Sequence, residues 1–147
     1  MLRIPLTAAY KMLSLGWFVR RPRTFGAHAY ALTPQRKLIL VKLRYASGWR
    51  LAGGGRRRGE SAEEAGLREL SEEIGMVAHG RARLACELEQ ICDYRRDLAS
   101  VLIVEDVRYR PRWSWEVERV IEVAPDDLPG EMSPLAAEWI AAVRGAL

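Results

Sequence analysis

The spacing of apolar positions changes several times along the chain, and each change marks an element. Phe25–Leu32 and Lys37–Tyr45 are runs of strand-forming residues, with Thr33-Pro34-Gln35 between them as a turn. Lys37-Leu-Ile-Leu-Val-Lys-Leu is apolar enough to be a central strand. Trp49–Ala52 predicts a short strand running into a turn at Gly53-Gly54-Gly55. The period then becomes helical. Leu67, Leu70 and Ile74 recur at three- and four-residue spacing, Ser61 and Glu64 form an S-x-x-E capping box, and Gly75 is a stop signal, so a helix is predicted over Ala62–Ile74. Arg81–Ile91, Leu98–Tyr109 and Glu116–Val123 read as further strands. Ser133-Pro134 opens a last helix that runs to about Arg144. Strands flank the central helix on both sides, which predicts a mixed sheet sandwiched between helices.

The N-terminal pattern is different. Leu2–Val19 is largely apolar, but Arg3, Pro5, Lys11 and Gly16 interrupt it as a membrane span, and no small-residue cleavage site follows it. Leu6, Tyr10, Leu13 and Trp17 share one helical face, while Thr7, Lys11 and Ser14 lie on another. Residues 1–24 are therefore expected to form a helical extension ended near Pro22, packed on the domain or on a partner. The alternative is an interfacial membrane helix anchored by Arg20, Arg21 and Arg23.

With 147 residues and 49% apolar content, the chain has material for one domain with its own core. Cys86 and Cys92 lack the spacing of a redox or zinc site and read as buried free thiols in a reducing, cytoplasmic setting. The net charge of +4 hides a division: no Asp or Glu precedes Glu60, so residues 1–59 carry +13 and residues 60–147 carry −9. A basic half folded beside a carboxylate-rich half could wall in an anionic substrate; scattered solvated charges are the other reading.

The acids concentrate on one helix. At about 100° per residue, Glu69, Glu72 and Glu73 fall within one arc, roughly opposite the stripe of Leu67, Leu70 and Ile74. Arg68 is placed to pair with Glu64 or Glu72 at four-residue spacing. A solvated acidic face is the plain explanation. A hard divalent cation such as Mg²⁺ or Mn²⁺ is the alternative, and the neighbouring glycines favour it by permitting close backbone approach.

The segment from Gly54 to Met76 matches the Nudix box, G-x5-E-x7-R-E-U-x-E-E-x-G-U, at Gly54, Glu60, Arg68, Glu69, Leu70, Glu72, Glu73, Gly75 and Met76. Trp49-Arg-Leu-Ala-Gly-Gly is similar to the family's W-x-L-P-G-G, and Glu116–Pro129 to its E-I…D-E-L-P segment. The chain thus resembles the Nudix (MutT-like) hydrolases. The resemblance implies an α/β/α sandwich with a mixed sheet, with residues 25–147 as the Nudix domain and the N-terminal helix outside its core. It implies Glu69, Glu72 and Glu73 as ligands for Mg²⁺ or Mn²⁺, assisted by the carbonyl of Gly53. Arg68 would orient the carboxylates, Glu60 would brace the loop against the helix, and Gly54 and Gly75 would shape the motif. The general base is implied to be Glu116 or, within the box, Glu72. Glu118, Glu105 and Asp106 are weaker candidates that read as surface charges.

Two departures stand out: Ala52 replaces the usual proline, and Ile121-Glu122-Val123 replaces Arg-Trp-Phe. Arg56-Arg57-Arg58 makes the box loop unusually basic, either to meet substrate phosphates or as solvated charge. Trp49, Tyr45, Tyr94, Trp113 and Trp115 are candidates to stack on a nucleobase, or simply pack. The implied activity is metal-dependent hydrolysis of a phosphoanhydride in a nucleoside diphosphate linked to X. Its alternatives are an RNA 5′-end pyrophosphohydrolase and a non-catalytic nucleotide-binding module. A homodimer is compatible with either.

Overall fold

The computed structural model describes residues 23–92 and 95–147; Tyr94 and all of the expected N-terminal extension but Arg23 and Thr24, which open a strand, lie outside them. The strands are β1 (Arg23–Ala31), β2 (Leu38–Leu43), β3 (Trp49–Arg50), β4 (Ala52–Gly55), β5 (Met76–Ala78), β6 (Ala82–Cys92), β7 (Arg95–Val104), β8 (Arg108–Tyr109) and β9 (Val117–Val123). The helices are α1 (Ala62–Ile74) and α2 (Pro134–Ala146).

One four-stranded sheet has the order β4-β1-β7-β6 and is mixed, because β1 runs parallel to β7 while the other pairs are antiparallel. A three-stranded antiparallel sheet has the order β3-β2-β9, and β5 pairs with β8. So β1 and β2, adjacent in sequence, belong to different sheets, and a bridge between Leu32, just past β1, and Leu38 joins them.

Strand alternation builds two cores. Tyr30, Leu38, Leu40, Val101 and Ile103 face α2, where Trp139, Ile140 and Val143 meet them. Their neighbours Ala29, Ala31, Ile39, Val41, Leu102 and Val104 face α1 and meet Leu70 and Ile74. A sheet covered on both faces needs uninterrupted apolar runs, which is why Leu38–Val41 and Val101–Val104 do not alternate with polar residues. Full burial of one such side chain, Leu102, contributes about 1.5–3 kcal/mol. The result is an α/β/α sandwich. Gly66 in α1 sits against the Leu102 side chain, so the absent Cβ lets the helix lie close to the sheet.

Three segments differ from expectation. Gly53–Gly55 are strand residues of β4, paired to β1 through His28–Gly53 and Ala27–Gly54, rather than a turn. The apolar stretch from Leu98 breaks after Val104, where Asp106 adopts φ 52°, and resumes as the short β8. Cys86 is a free thiol but only half-buried. Among the described residues no helix is long and apolar enough to cross a membrane.

Candidate active site

Helix α1 is defined at both ends by its own sequence. Ser61 Oγ accepts the Glu64 N–H at 3.0 Å, and Gly75, at φ 72°, turns into the left-handed region while its N–H caps the carbonyls of Leu70 and Ser71. Its buried residues are Ala65, Gly66, Glu69, Leu70, Glu73 and Ile74. Glu69 and Glu73 are therefore on the buried face, not opposite it. The cause is the glycine strand they face. A Cβ on Gly54 would lie 2.8 Å from Glu69 Oε1, so the carboxyl occupies the volume that a side chain would take. Glu73 Oε2 accepts the Gly53 N–H at 3.2 Å.

Arg68 organises the rest. Its Nε and Nη2 donate to the two oxygens of Glu60 at 2.8 and 2.9 Å, a bidentate pair. Nη1 reaches Glu69 Oε1 at 2.9 Å and Glu72 Oε2 at 3.2 Å, and Nη2 also donates to the Gly55 carbonyl at 3.0 Å. Of its two expected partners, Glu72 is the one engaged. Glu60 further accepts the Arg57 N–H at 2.9 Å. The Arg68 hydrogen bonds, with this backbone bond, hold the Glu60 carboxyl down at about 2. One arginine thus ties the loop, β4 and α1 together.

Glu73 has the opposite electrostatics. Burial, then the charge of Glu69 beside it, push its carboxyl up to about 9, and Glu116 adds to the push. Two buried carboxyls acting on each other, with Arg68 reaching only Glu69, form a site short of positive charge. That donor set suits a hard divalent cation. Glu72 does not join them: it is exposed and turned toward Arg68 and toward Arg57 Nη2 at 3.3 Å. Among the described residues no three His, Cys, Asp or Glu side chains converge as a ready metal cage.

The remaining candidates separate by environment. Arg57 and Arg58 are exposed along a cleft of about 780 Å³ that also includes Phe25, His28, Gly55 and Arg56. Arg56 is less free than expected. Its Nε and Nη2 donate to the Glu60 carbonyl at 3.2 and 3.0 Å, and its guanidinium lies over the Phe25 ring. Trp49, a candidate either to contact substrate or to pack, is a core residue, with Lys42 and Arg119 over its ring. Glu116 is exposed just before β9, and its carbonyl accepts the Arg44 N–H. Glu118 is exposed, Glu105 pairs with Arg36 at 3.0 Å, and Asp106 occupies a surface turn. Glu122 accepts the Tyr109 hydroxyl at 2.6 Å, which gives the acid in place of an apolar residue a partner at the protein surface.

His28 was not among the sequence candidates. It stacks on Trp139 with ring centroids 3.8 Å apart, and burial, aided by Arg50, lowers its pKa to about 4, so it is neutral at pH 7. It lines both the arginine-rich cleft and a small recess of about 90 Å³ that reaches Glu73. The available signal was a single polar residue in the alternating stripe Gly26, His28, Tyr30, Leu32.

Known proteins share this fold. The NUDIX domain family matches residues 22–143. A relative from Bacillus subtilis (strain 168), provisionally named as an 8-oxo-dGTP diphosphatase, is 41% identical over 61 residues. That match spans 42% of this chain and only 41% of the relative. The crystal structure of a MutT NUDIX hydrolase from Burkholderia pseudomallei superposes with a TM-score of 0.70 at 27% identity, covering 82% of this chain and 98% of that one. A MutT protein from Methanosarcina mazei Go1 shares the fold, with a TM-score of 0.69 at 22% identity over 86% of this chain and 94% of its own. The chain belongs to the Nudix hydrolase family and is MutT-like.

Proposed function

We propose that this protein hydrolyses a phosphoanhydride bond in a nucleoside diphosphate linked to X, releasing a nucleoside monophosphate and X-phosphate by attack of water on phosphorus. The observation that carries the reading is the burial of both Glu69 and Glu73 against the glycine strand. Such a pair lowers stability unless a cation balances it. Glu69, Glu73 and, after turning inward, Glu72 would hold Mg²⁺ or Mn²⁺, with the Gly53 carbonyl as a further oxygen donor. When bound, such an ion supplies charge neutralisation for the phosphate oxygens and acidifies water.

The chain's own residues do the remainder. Arg68 fixes Glu69 and Glu60, so the carboxylates are oriented before substrate arrives. Arg57 and Arg58, exposed on the cleft, attract the polyphosphate and screen its charge. Glu116 receives the proton of the attacking water. Both oxygens of the other candidate, Glu72, already accept from arginines. Closely set buried acids flanked by arginines match the demands of phosphoryl transfer, in which positioning and charge stabilisation do most of the catalysis.

The test is a substrate panel with Mg²⁺ and with Mn²⁺: nucleoside triphosphates, nucleotide sugars, dinucleoside polyphosphates and 5′-triphosphate RNA. Metal-dependent release of a monophosphate product is expected from a free nucleotide. Cleavage confined to the RNA would transfer the assignment to 5′-end processing. Comparison of Glu116→Gln with Glu72→Gln identifies the base: loss of the acidic limb of the kcat–pH profile is expected in the first. Retention of that limb in Glu116→Gln, with its loss in Glu72→Gln, would exchange the roles.

A further inference from the structure

Two of the largest exposed apolar side chains in the described structure stand side by side. Trp113 is 65% and Trp115 80% exposed, and their rings meet edge to face at 4.5 Å. Exposing two indoles to water is unfavourable, and a contiguous aromatic patch of this kind marks a binding surface. Tyr45, 71% exposed, is a further exposed aromatic side chain, next in sequence to the Arg44 that holds this segment.

The segment carrying the pair is held at both ends. On one side Arg110 N–H donates to the Gly75 carbonyl and Arg112 Nη2 to the Ser71 carbonyl at 3.2 Å, tying it to the last turn of α1, the turn that bears Glu72 and Glu73. On the other, Arg44 Nε donates to the Ser114 carbonyl at 3.1 Å and Arg44 N–H to the Glu116 carbonyl. Ser114 Oγ accepts the N–H groups of Glu116 and Val117, each at 3.2 Å. The Arg44 guanidinium lies 5.7 Å from the Trp113 ring centroid, a cation–π contact that supports this ring. The indoles are therefore preorganised between the carboxylate helix and β2.

We propose that Trp113 and Trp115 form a stacking platform for the nucleobase of a nucleotide whose anhydride lies against the α1 carboxylates. This rests on the hydrolase reading above and adds to it where the base goes. The surrounding charge suits that occupant: Arg44, Arg110 and Arg112 are exposed around the pair and favour a ligand that is aromatic and anionic at once. Arg44 covers Trp113, which leaves Trp115, the more exposed ring, as the principal stacking face. The polar atoms of Ser114 already hold the segment itself. Recognition is thus by π-surface rather than by the hydrogen-bonding edge of the base, so purines should bind more tightly than pyrimidines, with little distinction between adenine and guanine.

The experiment compares Trp115→Ala and Trp113→Ala with the wild type on ATP, GTP, CTP and inorganic tripolyphosphate. Stacking on one aromatic side chain predicts an increase of about tenfold in KM for the purine nucleotides in Trp115→Ala, with kcat within about twofold of wild type. Trp115→Phe should restore most of the loss, and tripolyphosphate, which has no base, should be indifferent to all three variants. Quenching of indole fluorescence by AMP, measured without turnover, should be lost in Trp115→Ala. This second readout separates the two proposals. Quenching that depends on Trp115 in a protein inactive on every nucleotide would retain the platform and remove the hydrolase reading. Unchanged KM and unchanged quenching in both alanine variants would overturn the platform. So would a change confined to sedimentation behaviour, which would assign the indoles to contact between copies of the chain.

Discussion

The two helices have the same length, 13 residues each, and cover opposite faces of one sheet, yet they are stabilised by different means. Helix α2 starts at Ser133, whose side chain makes no cap hydrogen bond, and it is secured by burying Ala136, Trp139, Ile140 and Val143. Helix α1 has a bonded cap at each end and two buried glutamates on the face that should be apolar. Strong local signals let α1 persist while its inner face carries unfavourable charge. Packing makes α2 the stabilising layer, and α1 is where the proposed chemistry would be set against stability.

Breaking the stabilising layer should have the largest effect. Trp139 is 6% exposed, so Trp139→Ala is expected to cost about 3–5 kcal/mol in urea unfolding, while kcat per folded molecule changes little. The converse variant, Glu73→Gln, should lower metal-dependent turnover by about 10²–10³-fold yet raise the melting temperature of the metal-free protein. Undiminished turnover there would remove Glu73 from the chemistry.

The pH dependence should divide between the same two faces. His28, beside α2, titrates near 4 when folded against 6.5 when unfolded. The native state then binds fewer protons, so stability falls as pH drops from 6.5 toward 4, by about 3 kcal/mol in total. Glu73 is raised from 4.5 to about 9, so the native state binds more protons and the metal-free protein loses stability as pH rises through that window. Urea midpoints measured against pH should show both limbs. His28→Gln should flatten the acid one and Glu73→Gln the alkaline one. The smallest expected effect comes from Gly54→Ala, whose new methyl would displace Glu69. Overpacking of this kind costs about 1–3 kcal/mol, and less than the same change at Gly53, where the new methyl would press on the backbone of Ala27 and His28, which cannot give way as the end of a side chain can.

Helix α1 was legible to the residue because its start and stop are written in local chemistry, in Ser61 and Gly75. The apolar runs of β2 and β7 were legible for a related reason, since a strand covered on both faces has no polar alternation to confuse it. What escaped was set by neighbours distant in sequence. A helical wheel puts Glu69 and Glu73 on the outside because it cannot register that the strand opposite has no side chains. The glycines of β4 read as a turn because glycine is a poor strand former, and only pairing with β1 makes them one. Trp49 read as a candidate contact for substrate, and only the arrival of α2 and its neighbours encloses it. His28 has no sequence motif at all, and its position becomes apparent only with Trp139 stacked upon it.

The parallel pairing of β1 with β7 also has a consequence for how the chain comes into being. Thr24 and Asp97, hydrogen-bonded neighbours across those strands, are 73 residues apart. During synthesis the box helix and its glycine strand emerge well before β7, so the edge of β1 that β7 covers in the finished fold has no partner while the next several dozen residues are made. An open strand edge of this length invites pairing with another chain. The interval before residue 104 leaves the ribosome is therefore the time during which this edge lacks the strand that will cover it.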